Sequence, residues 1–311
     1  MITLPSTTIE GSSKGSHLLI TAGIHGDEFE GIFAICQLLR QIDAANLCGT
    51  LTLVPVANQS ALDRHSRCGE DDKDLARTFP GDLEGSPTEQ IAAILNDVIA
   101  NADLYIDLHS GGRTMDVYPL CGYGLVDNPA TLETQRLMAR AMGLPLVWGT
   151  SAALNGRSMS AARDAGVPAI YAEYRGRGSC DPQGVQAYVD GCLTVMARFD
   201  MLGNAGESRQ HPHPLIVEDP RPDSGHMQVC NPSPFAGLFE PAVELGQFVH
   251  GGETLGMLID PLSGREQQIV STQTGPIIVL RSYPQVDEGD ALAVILDNHD
   301  HSSTPFHLPP C

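Results

Sequence analysis

The chain has 311 residues and a formal net charge of −20, with 42% hydrophobic and 18% charged residues. So much negative charge argues against nucleic acid and anionic membrane surfaces as partners. The length permits one large or two smaller domains with a sizeable core, and no run of about eighteen apolar residues offers a transmembrane helix.

Residues 1–15 are polar and lack the basic-then-apolar pattern of a signal peptide. The cysteines, at Cys36, Cys48, Cys68, Cys121, Cys180, Cys192, Cys230 and Cys311, show no C-x-x-C spacing. Cysteines scattered in this way read as reduced thiols, so a cytoplasmic protein is expected.

A buried strand is expected over residues 18–24, an apolar run bounded by polar and glycine positions, with a helix following over about 30–42. Between them stands His25-Gly26-Asp27-Glu28. An imidazole and a carboxylate three apart can be aimed at one point, and both are groups that zinc accepts. Taken alone, the spacing describes a solvated pair equally well.

Further strands are expected at 51–57, 104–109, 146–148 and 169–173, with helical patterns between several of them. Ser86-Pro87-Thr88-Glu89 is a capping box with proline at the first helical position. After it Ile91, Ile94, Leu95, Val98 and Ile99 recur at the spacing of one buried helix face. Alternating strands and helices over the first 200 or so residues predict an α/β domain, its mixed, mostly parallel sheet flanked by helices. Residues 58–85 are charged and aperiodic, either a solvated surface loop or a functional one, and carry Arg64, Arg67 and Arg77.

The strand at 104–109 also ends in a histidine, His109, followed by Ser110-Gly111-Gly112. Ligand sites in open α/β sheets collect at the carboxyl ends of strands. His25, Glu28 and His109 are therefore expected to form a metal site with a fourth position open, the catalytic arrangement of zinc. Asp107 shares a strand face with His109, where it either orients that ligand or is a solvated strand-end carboxylate. Glu173 ends the strand at 169–173; on the residues alone it reads as a structural carboxylate paired with Arg175 or Arg177.

Residues 204–222, rich in proline and polar side chains, are expected to be a linker, His211-Pro212-His213-Pro214 included. From 223 to 298 short strands alternate with glycine turns, which predicts a small all-β sandwich or barrel, and 299–311 read as a loose tail. The β segment resembles the swivelling domains of lipoyl and biotinyl carriers. No lysine lies between Gly225 and Asp300 to bear a prosthetic group, so a carrier function is excluded.

His25-Gly26-Asp27-Glu28, Asp74-Leu75-Ala76-Arg77-Thr78-Phe79-Pro80-Gly81 and Asp107-Leu108-His109-Ser110-Gly111 occur in that order. Together they resemble the succinylglutamate desuccinylase/aspartoacylase family of the zinc carboxypeptidase-like superfamily, over nearly the whole chain. The resemblance implies a catalytic domain over 1–203 and one Zn²⁺ per chain on His25, Glu28 and His109. It implies a hydrolase that cleaves the amide bond of a small N-acylated amino acid. Glu173 matches the general base, Arg67 the cation beside the developing oxyanion, and Arg77 and Arg163 the substrate-binding arginines. The family usually carries asparagine before the motif arginine; here Ala76 cannot hydrogen-bond substrate through its side chain.

Two other readings share these residues. A zinc carboxypeptidase acting on peptides uses the same ligand set, and a non-catalytic binding protein could keep the fold. Intact Glu173 beside intact ligands argues against the latter. No membrane or nucleic-acid partner is expected, and a homo-oligomer is left open.

Overall fold

The computed structural model describes residues 3–203, 214–222, 224–225, 231–297 and 308–309. The His211-Pro212-His213 tract and most of the expected tail lie outside the described residues.

The chain runs β1 (Thr7–Glu10), β2 (Ser13–Ala22), α1 (Glu30–Gln41), β3 (Cys48–Val54), α2 (Gln59–Asp63), α3 (Pro87–Ala100) and β4 (Leu104–Leu108). It continues through β5 (Met115–Leu125), α4 (Pro129–Ala141), β6 (Leu146–Ser151), α5 (Ser158–Ala165), β7 (Ala169–Gly176), α6 (Pro182–Arg198) and β8 (Leu215–Asp219). The rest is β: β9 (Gly237–Pro241), β10 (Phe248–Val249), β11 (Thr254–Asp260), β12 (Arg265–Val270), β13 (Gly275–Arg281), β14 (Gln285–Val286) and β15 (Ala293–Ile295).

A mixed sheet of eleven strands forms the body, with β3, β2, β4 and β7 parallel at its centre. Their buried stretches, such as Leu18–Ala22 of β2 and Leu104–Leu108 of β4, are mostly apolar because helices cover both faces. Ala34, Ile35 and Leu38 of α1 join Met138 of α4 and Val185, Tyr188 and Val189 of α6 in the core on one face. Ile91, Leu95 and Ile99 of α3 and Ala161 and Ala162 of α5 fill the other. The expected capping box at α3 is present, with the Ser86 N–H donating to Glu89 Oε2 at 2.8 Å.

β5 carries no clear strand signal in the sequence, since Pro119, Gly122 and Gly124 read as breakers. It pairs antiparallel with β7, and the register shifts between Val117 and Leu120, so the missing N–H of Pro119 falls at an irregularity. β8 lies within the stretch expected to be a linker and pairs parallel with β6, Leu215 opposite Leu146. A five-residue strand among prolines and charges offers too short a period to recognise.

The C-terminal segment divides. β12, β11, β9 and β14 form a separate antiparallel sheet, the all-β element expected there. β13 instead extends the large sheet by pairing with β5, Val279 opposite Val117, and carries β10 and β15 with it. Within the expected tail, Leu308 packs on a cluster that includes Tyr118, whose hydroxyl donates to the Pro309 carbonyl.

Ending the chain at Leu202 would strip β8 from β6 and β13 from β5, and uncover Val117, Tyr118, Leu146 and Trp148. Open strand edges beside apolar surface aggregate. The shortened chain is expected to be insoluble or polydisperse by size-exclusion chromatography. A monodisperse, fully active product would show that the seam is dispensable.

Candidate active site

β2, β4 and β7 run parallel, so their carboxyl ends open on one edge of the sheet. His25 lies three residues past β2, Glu28 two before α1, and His109 immediately past β4. Gly26 is required by close approach, because a Cβ there would lie 2.0 Å from the Ala61 carbonyl of α2.

His25 Nδ1 is 2.6 Å from Glu28 Oε1, and His109 Nδ1 is 3.0 Å from Glu28 Oε2. The candidate ligand atoms of His25, Glu28 and His109 all lie within 4.8 Å of one another. Each imidazole turns its other nitrogen outward to a carboxylate. His25 Nε2 is 3.2 Å from Asp74 Oδ1, and His109 Nε2 is 3.1 Å from Asp107 Oδ2. Asp107 is itself fixed by the hydroxyls of Thr21 (2.7 Å) and Ser158 (2.5 Å). Outer carboxylates that orient imidazoles inward are the arrangement metal-ligating histidines use.

The charges fit a cation too. Burial disfavours an ionised Glu28, but the facing His25 and His109 outweigh it and hold the carboxyl well below its usual range. Burial likewise opposes a charged His109, yet Asp107 and Glu28 drive its pKa well above the ordinary value. Three carboxylates around two imidazoles thus demand positive charge, which a divalent ion supplies in place of protons. The residues present fit a metal ion.

Across from this group, Glu173 projects from β7, only 9% exposed. Its Oε2 is buried without a hydrogen-bond partner, and burial pushes the carboxyl up to about 8, with His109 opposing. Such a carboxylate is suited to exchanging a proton near neutrality.

The arginines divide by what already holds them. Arg67 donates from Nε to Asp74 Oδ2 at 2.9 Å, and its Nη1 lies 3.5 Å from His25 Nδ1. Arg77 closes a 3₁₀ turn, Leu75–Arg77, that Asp74 caps by accepting from the Ala76 N–H at 2.8 Å. Burial, with help from nearby Arg157, brings the Arg77 guanidinium down to about 10. Arg163 donates to the Ala152 carbonyl, to Asn155 Oδ1 at 2.8 Å and to Asp164 Oδ1 at 2.7 Å. Each of its three nitrogens is thus engaged, two with the turn leading into α5 and one with its neighbour in that helix. His25, Glu28, His109, Glu173, Arg67, Arg77 and Arg163 all line one cavity of about 530 Å³, to which Val279, Arg281 and Ala291 add a wall from the C-terminal segment.

Residues 14–198 match the model of the succinylglutamate desuccinylase/aspartoacylase catalytic domain. The chain belongs to the succinylglutamate desuccinylase/aspartoacylase family. It is similar to the N-α-acetyl-L-2,4-diaminobutyric acid deacetylase of Halomonas elongata, at 29% identity over 95% of this chain and 86% of that one. Among solved structures, the product-bound ectoine utilization protein EutE (DoeB) of Ruegeria pomeroyi superposes with a TM-score of 0.85 at 27% identity, over 94% of this chain and 89% of that chain. The succinylglutamate desuccinylase/aspartoacylase of Rhodobacter sphaeroides does so with 0.83 at 26%, over 96% and 90%.

Within this member of the desuccinylase/aspartoacylase family, several site residues escape a reading of the sequence. Asp74 bridges His25 and Arg67; its signal is an aspartate placed to cap a short turn. Tyr188 of α6 donates to the His109 carbonyl at 2.6 Å, and Ser158 anchors Asp107, but neither carries a local signal. Arg157 and Tyr171 also line the cavity. A cation just before a helix start, where Arg157 stands, is electrostatically misplaced and could have drawn attention.

Proposed function

We propose that the chain is a zinc-dependent amidohydrolase that removes the acyl group from a small N-acylated amino acid. The observation that carries this reading is the pair of inward imidazole Nδ1 atoms on Glu28, set in one cavity with a buried, partly unpartnered Glu173. Two histidines and one glutamate are a catalytic zinc donor set. Bound there, zinc supplies Lewis acidity toward the scissile carbonyl and lowers the pKa of water.

The chain's own groups do the rest. Glu173 accepts the proton of the attacking water and returns it to the leaving nitrogen as the C–N bond breaks, giving a carboxylic acid and an amine. Asp74 holds Arg67 by Nε, which leaves the outer guanidinium nitrogens to meet the carbonyl oxygen as negative charge develops on it. Arg77 offers a guanidinium to a substrate carboxylate. Ala76, buried beside it, contributes no side-chain hydrogen bond.

A cavity of about 530 Å³, walled on one side by the C-terminal segment, suits a small molecule better than a peptide. The Halomonas relative is named for an N-acetylated amino acid, which supports the same substrate class here. The described cysteines, Cys36, Cys48, Cys68, Cys121, Cys180 and Cys192, are free, in keeping with a cytoplasmic enzyme.

Zinc-loaded protein should be assayed against acetyl-, succinyl- and formyl-amino acids alongside dipeptides. Release of free amine from one of the N-acyl amino acids is expected. The methyl ester of the best substrate should react about 30-fold or more slowly, because a desolvated charge pair is worth roughly 2–5 kcal/mol. Turnover confined to dipeptides would replace this reading with a carboxypeptidase.

A further inference from the structure

Behind His109 lies a polar group enclosed in an otherwise apolar layer. Tyr105 and Asp107 stand two apart on β4 and so project to one face, and Thr21 of β2 pairs directly with Asp107 across the parallel strands. α5 packs on that face, where Leu19 and Tyr105 meet Ala161 and Ala162. Ser158, the first residue of α5, reaches the same carboxylate from above. Thr21, Tyr105 and Asp107 are fully buried, and Ser158 nearly so.

The hydrogen bonds in this group run in one direction only. An ionised carboxylate accepts and cannot donate. Thr21 therefore spends its one hydroxyl proton on Asp107 Oδ1 at 2.7 Å, and Ser158 spends its own on Oδ2 at 2.5 Å. With that proton committed, Thr21 can only accept from the Tyr105 hydroxyl, 2.8 Å away. Burial, with Asp107 adding to it, pushes the Tyr105 hydroxyl well above its ordinary value, so it keeps the proton it donates. His109 Nε2, 3.1 Å from Asp107 Oδ2, must carry its hydrogen there, while Nδ1 is the nitrogen turned to Glu28.

A carboxylate taken out of water is costly unless donors meet its oxygens. Among the described residues, the side chains that meet Asp107 are Thr21, Ser158 and His109. Loss of either hydroxyl leaves a buried oxygen unmatched. The carboxylate then gains by turning toward another donor, and the imidazole hydrogen-bonded to it turns with it.

We propose that Thr21, Tyr105 and Ser158 are positioning residues: through Asp107 they fix the ring angle and tautomer of His109, so that Nδ1 is presented to the metal before it binds. Tyr105 and Thr21 act in series on one carboxylate oxygen, and Ser158 acts in parallel on the other. Ser158 also lines the cavity, so the wall that substrate touches and the imidazole share one anchor. The inference rests on the metal-dependent reading of the site.

The test is a zinc titration against a chromophoric chelator, with the proton NMR signal of His109 Nε2–H in metal-free protein as a second readout, assigned by its absence in His109→Ala. Thr21→Val, which keeps the side-chain volume, and Ser158→Ala should each weaken zinc binding by about 10- to 100-fold. Tyr105→Phe should weaken it by about tenfold or less, the worth of one neutral hydrogen bond. Thr21→Ser should keep most of the affinity. In a Thr21→Val background Tyr105→Phe should add less than about twofold, whereas Ser158→Ala should still add its own loss. The Nε2–H signal should shift in Thr21→Val and Ser158→Ala. A role in core packing alone would lower the denaturant midpoint of the metal-free protein and leave zinc affinity and the signal in place. Unchanged zinc affinity in both Thr21→Val and Ser158→Ala, or an undiminished effect of Tyr105→Phe in the Thr21→Val background, overturns the proposal. If the unaltered protein binds no zinc, the metal-dependent reading falls; the hold on the His109 ring then stands if the Nε2–H signal shifts in Thr21→Val, and falls if it does not.

Discussion

Glu173→Gln should lower kcat by about 10²–10⁴-fold, the usual worth of a positioned acid–base group, with zinc content unchanged. Glutamine keeps the volume and polarity of the side chain but cannot take a proton from water or pass it to nitrogen. The pH profile sharpens the test. Burial sets the Glu173 carboxyl at about 8 without a metal, and a nearby bound cation lowers it. The ionised form accepts the proton, so kcat/KM should fall as pH drops below that pKa and level off above it. Residual activity of Glu173→Gln should lack this limb. A variant within tenfold of the natural enzyme, with the limb intact, would make Glu173 a bystander.

His109→Ala should reduce bound metal from about one ion per chain to nearly none after dialysis, measured by elemental analysis. His109 is the imidazole that meets Glu28 on one side and Asp107 on the other, at 3.0 and 3.1 Å. Removing it leaves two buried carboxylates without their shared partner, and breaking a buried ion pair costs about 3–5 kcal/mol. Denaturant midpoints should fall accordingly in the metal-free state. His25→Ala should lose metal as well, and undiminished metal in both variants would sink the ligand assignment.

How much could be read in advance varies along the chain. The central strands announce themselves as short apolar runs, and the Ser86–Glu89 capping box marks the start of α3 without ambiguity. β5 hides behind a proline and two glycines whose cost is absorbed at a register shift. β13 looks like part of the C-terminal all-β segment, yet pairs with β5 of the main sheet. Composition reports local turn and strand content but not which edge a strand will join.

The site divides in the same way. His25 and His109 are legible because each follows a strand end, with Glu28 three residues past His25, and parallel strands bring their carboxyl ends to one edge whatever the rest of the fold does. Period, caps and motif order were enough for the sequence alone to determine the α/β class and the family, and to single out His25, Glu28 and His109 as the group that could hold a metal. The tertiary structure alone decided that Asp74 and Asp107 back the two imidazoles, that Arg163 is tied to its own turn, and that Arg157 and Tyr171 face the cavity. Those outcomes depend on distances between elements far apart in the chain, such as Gly156 against Arg77 and Tyr171 over Gly122. A side chain's role is set by which partners reach it first, and packing settles that contest after local pattern has placed the backbone.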